Sequence, residues 1–258
     1  MNEDNLIKYY NKFNEDKRFN SRGGLVEYTI SLKYIYKYLN ELDNPKILDV
    51  GAGTGAYSIK LAEDGYDVTA IELVKHNLRY IEKCSKVHAY QGNAIDLSRF
   101  KDNTFDLVLL FGPMYHLIDD NDKIKALSEV ARVTKPKGII MVAYIMNDYA
   151  VIMHGFKDNN IIDSFNNNLI DSNFHVTPKE DDLYSYVRLE DINSYNDKVN
   201  LERVKIITPD GPTNYIRTII NKMDKDVFNK YIDYVLSICE REDILGASAH
   251  VIDILSKI

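Results

Sequence analysis

Three alternate glycines that directly follow a short apolar run constrain the fold of this chain more than any other feature. The segment is KILDVGAGTGAYS, residues 46–58. KILDV is typical of a buried strand, and AYSIKLAEDG is typical of a helix that ends at Gly65. Gly51, Gly53 and Gly55 let the backbone approach a bound molecule closely, and the helix directs its unpaired N–H groups toward the same point. The sequence therefore predicts a strand, a tight turn and a helix that together form a binding site.

Short apolar runs alternate with amphipathic stretches from Pro45 to Ile145. The predicted strands are KILDV, YDVTAIEL, VHAYQGN, FDLVLLFG and GIIMVAYI, and the stretches AYSIKLAEDG, KHNLRYIEKCS and NDKIKALSEVARVT are predicted helices. Such alternation is typical of a parallel sheet with helices on both faces. The runs LVLLF and IIMVAYI have no polar alternate face, as expected of central strands. We therefore predict an α/β fold with a doubly wound sheet.

The segments on either side of this core are expected to complete one domain. Helices are predicted at 5–19 and 25–41, with Gly23 and Gly24 interrupting the pattern between them. Residues 147–182 are irregular and rich in Asn and Asp, and we interpret them as an inserted lid. The predicted parts are an N-terminal helical cap at 1–44, a Rossmann-like core at 45–146, the lid at 147–182 and a C-terminal completion of the sheet at 183–258.

Charge and composition narrow the class of partner. The net charge of -7 opposes the broad positive field that nucleic-acid binding requires. No run of about 18 apolar residues is present, and the first residues lack the apolar region of a signal peptide. Cys84 and Cys239 are far apart, and the six histidines show no spacing typical of metal ligands. We expect a cytoplasmic monomer or homodimer with a small-molecule substrate, no metal site, and neither a membrane nor a nucleic-acid partner.

The glycine turn satisfies two fingerprints. As G-x-G-x-x-A, from Gly51 to Ala56, the turn matches the dinucleotide-binding fingerprint. As D-x-G-x-G-x-G, from Asp49, it matches a second, different fingerprint. Glu72 follows the turn by roughly 20 residues, and its carboxylate can accept hydrogen bonds from both ribose hydroxyls of an adenosine in either case. Neither the turn nor Glu72 alone therefore identifies the ligand.

Two later segments distinguish the fingerprints. A hydride-transferring enzyme usually carries a second mononucleotide-binding half, but here the chain has YQGNAIDL and FDLVLLFGPMYHL. In the first segment, Asn93 can offer its side-chain amide near an adenine edge and Ala94 its backbone N–H. The second brings Phe111, Tyr115 and His116 to the carboxyl edge of the sheet, where ligands bind in such folds.

From about residue 45 to residue 145 the sequence resembles the class I S-adenosylmethionine-dependent methyltransferases. In that family the motif LDVGAGTG surrounds the methionine part of the cofactor, the acid after the second strand binds the ribose, and an acid is commoner than Asn93 at the adenine. The resemblance implies a cofactor site formed by Asp49, Gly51, Gly53, Gly55, Glu72, Leu73, Asn93, Ala94 and Phe111. It also implies a seven-stranded, mostly parallel sheet that ends in SAHVIDIL as an antiparallel strand, and S-adenosylhomocysteine as the product.

The implied reaction is in-line transfer of the sulfonium methyl group to nitrogen or oxygen of a small molecule. His116 is the candidate general base, because imidazole titrates near neutral pH, although a histidine here can equally pack against the lid. Tyr115 can hydrogen-bond the substrate or form an aromatic wall. The cap segment YYNKFNEDKRFNSRGGLVEY supplies further candidates for contacts with the cofactor carboxylate or the substrate, namely Tyr9, Tyr10, Arg18 and Arg22.

The substrate class follows by exclusion. The Asn/Asp-Pro-Pro-Tyr/Phe segment of enzymes that methylate exocyclic amines is replaced by FGPM, and no Pro-Cys nucleophile is present. With an acidic chain, a small metabolite is favoured. The alternatives are methylation of RNA or protein, a non-catalytic adenosine-binding module, and a nicotinamide-dependent reductase. Asp210, Arg217 and His250 are isolated polar residues to which the sequence assigns no role.

Overall fold

The computed structural model describes residues 3–10 and 21–258 and contains a seven-stranded sheet. Its strands are β1 (Lys46–Val50), β2 (Asp67–Glu72), β3 (Val87–Gln91), β4 (Phe105–Leu110), β5 (Thr134–Ile145), β6 (Leu201–Ile207) and β7 (His250–Lys257). The strand order is β3-β2-β1-β4-β5-β7-β6. Strand β7 runs antiparallel to both of its neighbours, and the remaining pairs are parallel. The predicted mostly parallel sheet with an antiparallel terminal strand is confirmed.

Helices cover both faces of the sheet. They are α1 (Glu3–Tyr10), α2 (Arg22–Leu39), α3 (Ala56–Glu63), α4 (Lys75–Ile81), α5 (Asp120–Val133), α6 (Asn147–Ala150), α7 (Ile161–Asn166), α8 (Leu189–Val199), α9 (Arg217–Ile220) and α10 (Lys225–Ile238). Helices α5 and α8 pack into the core on one face, and α2, α3 and α10 pack into the core on the other. In the described part of the chain, no helix has the length and apolarity needed to cross a membrane.

The central strands are apolar on both sides because each side meets a helix layer. In β4, Val108 and Leu110 belong to one core cluster, Leu107 and Leu109 belong to the other, and all four are fully buried. This explains why LVLLF lacks the polar alternation of a half-exposed strand. Because β1 to β5 run parallel, their carboxyl ends lie at the same edge of the sheet, and the loops that follow them are neighbours in space.

Helix α2 begins earlier than the sequence pattern predicts. It starts at Arg22 and includes both glycines that were expected to interrupt the chain. The reason is the cap, since the Ser21 hydroxyl accepts a hydrogen bond from the backbone N–H of Gly24 at 3.1 Å and so satisfies one of the free donors of the first turn. Of the helix predicted at 5–19, the described part is α1; residues 11–20 lie outside the described residues.

The segment after β5 consists of α6, a single π-helical stretch at Val151–Lys157 and α7. Asn147, which is fully buried, anchors the segment's later part to the sheet. Its side-chain amide donates to the carbonyl of Phe174 at 2.9 Å, and its side-chain oxygen accepts from the N–H of Val176 at 2.8 Å. A buried amide with both ends satisfied fixes where this irregular segment lies.

An ion pair between a buried carboxylate and a partly exposed guanidinium joins the last two strands of the sheet. The carboxylate of Asp253 on β7 is fully buried and accepts hydrogen bonds from Nε of Arg203 at 2.6 Å and from Nη2 of Arg203 at 2.9 Å. The side-chain amide of Asn196 on α8 donates to the same carboxylate at 2.7 Å. The negative charge inside the sheet is therefore compensated by one guanidinium and one amide.

Candidate functional site

The glycine turn after β1 is held in a left-handed conformation. Gly51, Gly53 and Gly55 have φ angles of 72°, 58° and 89°. The N–H of Gly51 donates to the carbonyl of Ile71 on β2 at 2.8 Å. A Cβ atom on Gly51 would lie 2.6 Å from the ring of Pro113, in the loop after β4. Glycine is therefore required here both by the backbone conformation and by the close approach of the two loops.

Glu72, at the end of β2, faces this turn. One of its carboxylate oxygens accepts from the N–H of Gly53 at 2.8 Å, and the other accepts from the N–H of Val74 at 2.8 Å. The side chain is buried, and that burial raises the pKa of the Glu72 carboxyl to about 7, although the two backbone donors and Asn77 act in the opposite direction. Each carboxylate oxygen has a second lone pair, so the group can also accept hydrogen bonds from hydroxyls of a ligand.

Asp49 is the second buried carboxyl group of the turn. It lies at the end of β1, is 2% exposed, and accepts a hydrogen bond from the hydroxyl of Ser58 on α3. Burial raises the pKa of Asp49 to about 6, and its charge contributes to the raised pKa of Glu72. The turn therefore presents two closely placed acids to any molecule bound beside it.

The glycine turn, the end of β2 and the loop after β4 surround a hollow with a cavity volume of about 100 Å³, which we call the turn hollow. Eleven of the residues singled out from the sequence line it, namely Tyr10, Asp49, Gly51, Gly53, Glu72, Leu73, Asn93, Ala94, Phe111, Tyr115 and His116. Segments distant in the chain thus form one site at the carboxyl edge of the parallel strands.

Three further residues singled out from the sequence, Gly55, Arg22 and Tyr9, do not line the turn hollow. A Cβ on Gly55 would meet Ile81 at 2.9 Å, so this glycine serves the packing of α3 against α4. Arg22 donates from Nη1 to the carbonyls of Ile220 and Met223, away from the turn hollow. Tyr9 packs against the rings of Tyr10 and Tyr184. Arg18 lies outside the described residues.

Asn93 lines the turn hollow and also shapes a local turn. Its side-chain oxygen accepts from the N–H of Ile95 at 3.2 Å, and its backbone carbonyl accepts from the N–H of Asp96 at 3.0 Å. This is the behaviour of an asparagine that stabilises a turn through its own side chain. Ala94, which follows it, is buried.

His116 is held at both ring nitrogens. Its Nδ1 lies 2.8 Å from the carbonyl oxygen of Leu183, and its Nε2 lies 2.8 Å from the hydroxyl of Tyr10. Because a carbonyl can only accept, Nδ1 carries the proton, and in the neutral ring Nε2 accepts from the Tyr10 hydroxyl. The rings of Tyr115 and Tyr184 lie 4.8 Å and 5.1 Å from the imidazole. His116 therefore joins α1 to the segment that follows α7.

Asn77 is a site residue that sequence reasoning missed. It lies on α4, is 2% exposed and lines the turn hollow near Glu72. Among the described residues, none donates a hydrogen bond to its side-chain oxygen. A buried polar atom is normally paired, so an oxygen left over beside a hollow indicates a donor on a bound molecule. The available signal was an asparagine on the apolar face of the helix that follows Glu72.

The segment of this chain that matches known proteins includes most residues of this site. Residues 48–142 match the family of methyltransferase domains. Over 132 residues the chain is 30% identical to glycine/sarcosine N-methyltransferase of Aphanothece halophytica, covering 48% of this chain and 49% of that protein. Over 176 residues it is 29% identical to ubiquinone/menaquinone biosynthesis C-methyltransferase UbiE of Haemophilus ducreyi, covering 58% of this chain and 66% of that protein. The chain spans about half the length of the first curated relatives it matches.

A solved structure shows the same fold over the whole chain. The crystal structure of an S-adenosylmethionine-dependent methyltransferase from Thermotoga maritima is similar with a TM-score of 0.61 and 16% sequence identity, covering 99% of both chains. The family match at residues 48–142 includes the glycine turn, Glu72 and β4. The segment 48–142 is therefore similar in sequence to methyltransferase domains, and the chain as a whole has the fold of the Thermotoga maritima protein.

Proposed function

We propose that this chain transfers the methyl group of S-adenosylmethionine to a nitrogen or oxygen atom of a small molecule. The observation that carries the proposal is the arrangement of acceptors around the glycine turn. The Glu72 carboxylate and the side-chain oxygen of Asn77, to which no described residue donates, line one hollow. A nucleoside with two ribose hydroxyls supplies donors for the Asn77 oxygen and for the remaining lone pairs of the Glu72 carboxylate.

The residues of the turn hollow suit each part of the cofactor. Glu72 and Asn77 would hold the ribose, the segment at Asn93 and Ala94 would lie against the adenine, and the glycine turn beside Asp49 would hold the methionine part. The negative charge of the Asp49 carboxylate would attract the positive charges of the methionine part of the cofactor. The cofactor supplies an electrophilic methyl group on a positively charged sulfur.

The main task of the protein in such a reaction is alignment. Correct orientation of two reactants can supply about 7 to 11 kcal/mol, whereas a general base supplies roughly 3 to 5 kcal/mol. Tyr10, Tyr115 and His116 are partly or fully buried where the turn hollow meets α1, and they would exclude water from the reacting atoms. We assign to these residues the shaping of the site rather than proton transfer by His116, whose Nε2 already accepts from Tyr10.

The acceptor is the finer part of the proposal. One relative is named for N-methylation of glycine and sarcosine, and another is named for C-methylation. The net charge of -7 and the enclosed hollow support a small acceptor over a nucleic acid. A cytoplasmic location and a monomeric or homodimeric state belong to the same proposal.

The test is calorimetric titration with S-adenosylmethionine, S-adenosylhomocysteine and reduced nicotinamide dinucleotide, using the wild-type chain and Glu72→Ala. We expect the first two to bind and the variant to bind them roughly 10- to 100-fold more weakly, since hydrogen bonds to a charged group contribute about 1.5 to 3 kcal/mol each. Binding of the dinucleotide alone would refute the proposal. Methyl-labelled cofactor then separates the acceptors, because label in polymer would indicate RNA or protein and label in extractable material would indicate a small molecule.

A further inference from the structure

A pair of aromatic rings lines the turn hollow where β4 ends. Phe111, the first residue after β4, is partly buried, and both it and Tyr57 line the hollow. The centroids of the two rings lie 5.2 Å apart, with an angle of 75° between the ring planes. Tyr57 is the second residue of α3, the helix that follows the glycine turn. The loop after β4 and the first turn of α3 therefore form one aromatic wall of the hollow.

The loop after β4 lies directly against the glycine turn. A Cβ atom on Gly112 would be 3.1 Å from the carbonyl oxygen of Gly51, and a Cβ atom on Gly51 would be 2.6 Å from the ring of Pro113. Phe111 precedes Gly112 in the chain and lines the same hollow. The ring of Phe111 therefore borders the part of the hollow beside the glycine turn, which is the part proposed for the methionine portion of the cofactor.

Two buried carboxyl groups line the hollow together with these rings. Burial and the charge of Asp49 both raise the pKa of Glu72, so the two acids are close neighbours. At pH 8 both are ionised, because burial raises the pKa of Asp49 only to about 6 and that of Glu72 only to about 7. The attraction between a carboxylate and a cation is stronger in a buried site than in water, and an aromatic ring also attracts a cation. The hollow thus combines two features that favour a positively charged ligand over a neutral one.

The methyl donor and its product differ by one positive charge. Transfer of the methyl group leaves the electron pair of the broken S–C bond on sulfur, so the sulfonium becomes a neutral thioether. A sulfonium has no N–H or O–H group, and its charge is therefore stabilised by nearby carboxylates and aromatic rings rather than by ordinary hydrogen bonds. The adenine, the ribose and the amino-acid end are the same in both molecules. The difference between their affinities therefore isolates the interactions at sulfur.

We infer that Phe111 and Asp49 are specificity-determining residues that make the turn hollow bind S-adenosylmethionine more tightly than S-adenosylhomocysteine. The ring of Phe111 stabilises the charged sulfur through a cation–π interaction, and the Asp49 carboxylate adds an attraction of longer range. The inference rests on the proposed function, since it concerns the cofactor of that same reaction. Loss of the charge in the reaction then weakens the binding of the product, which favours its exchange for a new cofactor molecule.

The test is calorimetric titration at pH 8 with S-adenosylmethionine, S-adenosylhomocysteine and sinefungin, an analogue that carries an ammonium group in place of the sulfonium. We expect the two charged ligands to bind about 10-fold more tightly than S-adenosylhomocysteine. Sinefungin separates the effect of charge from contacts of the extra methyl group. Phe111→Leu keeps an apolar side chain but removes the ring, and it should lower the ratio of the two cofactor affinities about 3-fold or more. Phe111→Tyr keeps a ring and should retain the ratio of the wild type.

The matched control is Phe100→Leu. Phe100 is also partly buried, its ring lies 5.2 Å from that of Phe105 in a similar edge-on arrangement, and it does not line the turn hollow. This variant should keep the affinity ratio of the wild type. Asp49→Asn removes the charge but keeps an oxygen that can accept from the hydroxyl of Ser58, and it should weaken S-adenosylmethionine more than S-adenosylhomocysteine.

Three results would overturn the inference: S-adenosylhomocysteine binds as tightly as S-adenosylmethionine, sinefungin binds only as tightly as S-adenosylhomocysteine, or Phe111→Leu keeps the affinity ratio of Phe100→Leu. Asp49→Asn decides the question if Phe111→Leu fails to fold, and an unchanged ratio in that variant then overturns the inference. Failure of all three ligands to bind the wild-type chain would instead refute the proposed function itself, and the inference with it.

Discussion

The hydroxyl of Tyr10 donates to Nε2 of His116 across 2.8 Å, and this bond joins the N-terminal helix to the loop after β4. Both side chains line the turn hollow, and Leu6 of the same helix is buried beside them. A nitrogen that accepts from a tyrosine must exchange that partner before it can take a proton from a substrate. His116 is therefore better described as the attachment point of α1 than as a base.

Removal of the hydrogen bond between Tyr10 and His116 should weaken the attachment of α1 beside the turn hollow. We expect Tyr10→Phe to raise the dissociation rate of S-adenosylhomocysteine about 5-fold or more, because a net hydrogen bond contributes about 1 kcal/mol. Stopped-flow measurement of dissociation checks this expectation. Tyr9→Phe is the matched control, since Tyr9 is the neighbouring tyrosine of the same helix and its hydroxyl accepts a long hydrogen bond from Tyr184 at 3.4 Å. Equal rates in the two variants would contradict the assignment.

Gly51→Ala should abolish cofactor binding. The added Cβ would lie 2.6 Å from the ring of Pro113, at a φ of +72°, so the two loops that enclose the turn hollow would have to separate. Gly65→Ala is the matched control, because Gly65 also has a positive φ, of +99°, but a Cβ there would meet nothing within 4 Å. We expect the control to lose about 1 to 2 kcal/mol of stability and to keep its affinity for S-adenosylhomocysteine, as measured by calorimetry. Retained binding in Gly51→Ala would place the ligand elsewhere.

The stability of the ligand-free chain should fall as pH rises from about 4.5 to about 7. Burial raises the pKa of Glu72 from 4.5 to about 7, so within this window the folded state holds a proton that the unfolded state has lost. The contribution of this group is therefore lost as pH rises and amounts to up to about 3 kcal/mol. Urea unfolding at pH 5 and pH 8 measures it. The Glu72→Gln variant should show a shallower fall, and an unchanged slope in that variant would refute the assignment to Glu72.

Cofactor binding should release a proton near pH 6.5. Ribose hydroxyls donate to the ionised carboxylate, so the bound state favours charged Glu72 and its pKa falls below the ligand-free value of about 7. Affinity for S-adenosylhomocysteine should accordingly rise between pH 6 and pH 7.5 and then level off. Calorimetry in buffers of different ionisation enthalpy counts the released protons. Glu72→Gln should remove most of that release.

Arg203→Ala should destabilise the fold without affecting the turn hollow. The substitution leaves the fully buried carboxylate of Asp253 without its guanidinium, and loss of one partner of a buried pair costs about 3 kcal/mol. The free energy of unfolding in urea measures the effect. Arg241→Ala is the control, because Arg241 and Asp243 form a solvent-exposed pair and its loss should be undetectable. Equal stability of the two variants would contradict the structural assignment.

The sequence predicted the turn hollow well because its features are local. Glycines with positive φ, a carboxylate at a strand end and uninterrupted apolar runs are each determined by neighbouring residues. The sheet order then brings the ends of β1, β2 and β4 together. Eleven of the residues named from the sequence consequently line the hollow.

The remaining contacts depend on packing between distant segments. Tyr10 meets His116 across 106 positions of sequence, and Asp210 meets His250 across 40. Arg22 was expected near the cofactor or substrate, but carbonyl groups at the end of α9 offered its guanidinium closer acceptors. Such pairings follow from how helices cross the sheet, and single-sequence periodicity carries no information on that crossing.

The insertion of β7 between β5 and β6 affects the order in which the sheet can form during synthesis. Strand β6 leaves the ribosome before the strand that will be its sheet partner, and β5 exposes an apolar edge over the same interval. A nascent chain that stops short of residue 250 therefore carries two open strand edges, which are the surfaces that pair with other chains. Both edges are closed only by residues 250–257, so the last two pairings of the sheet form after nearly all of the described chain has been made.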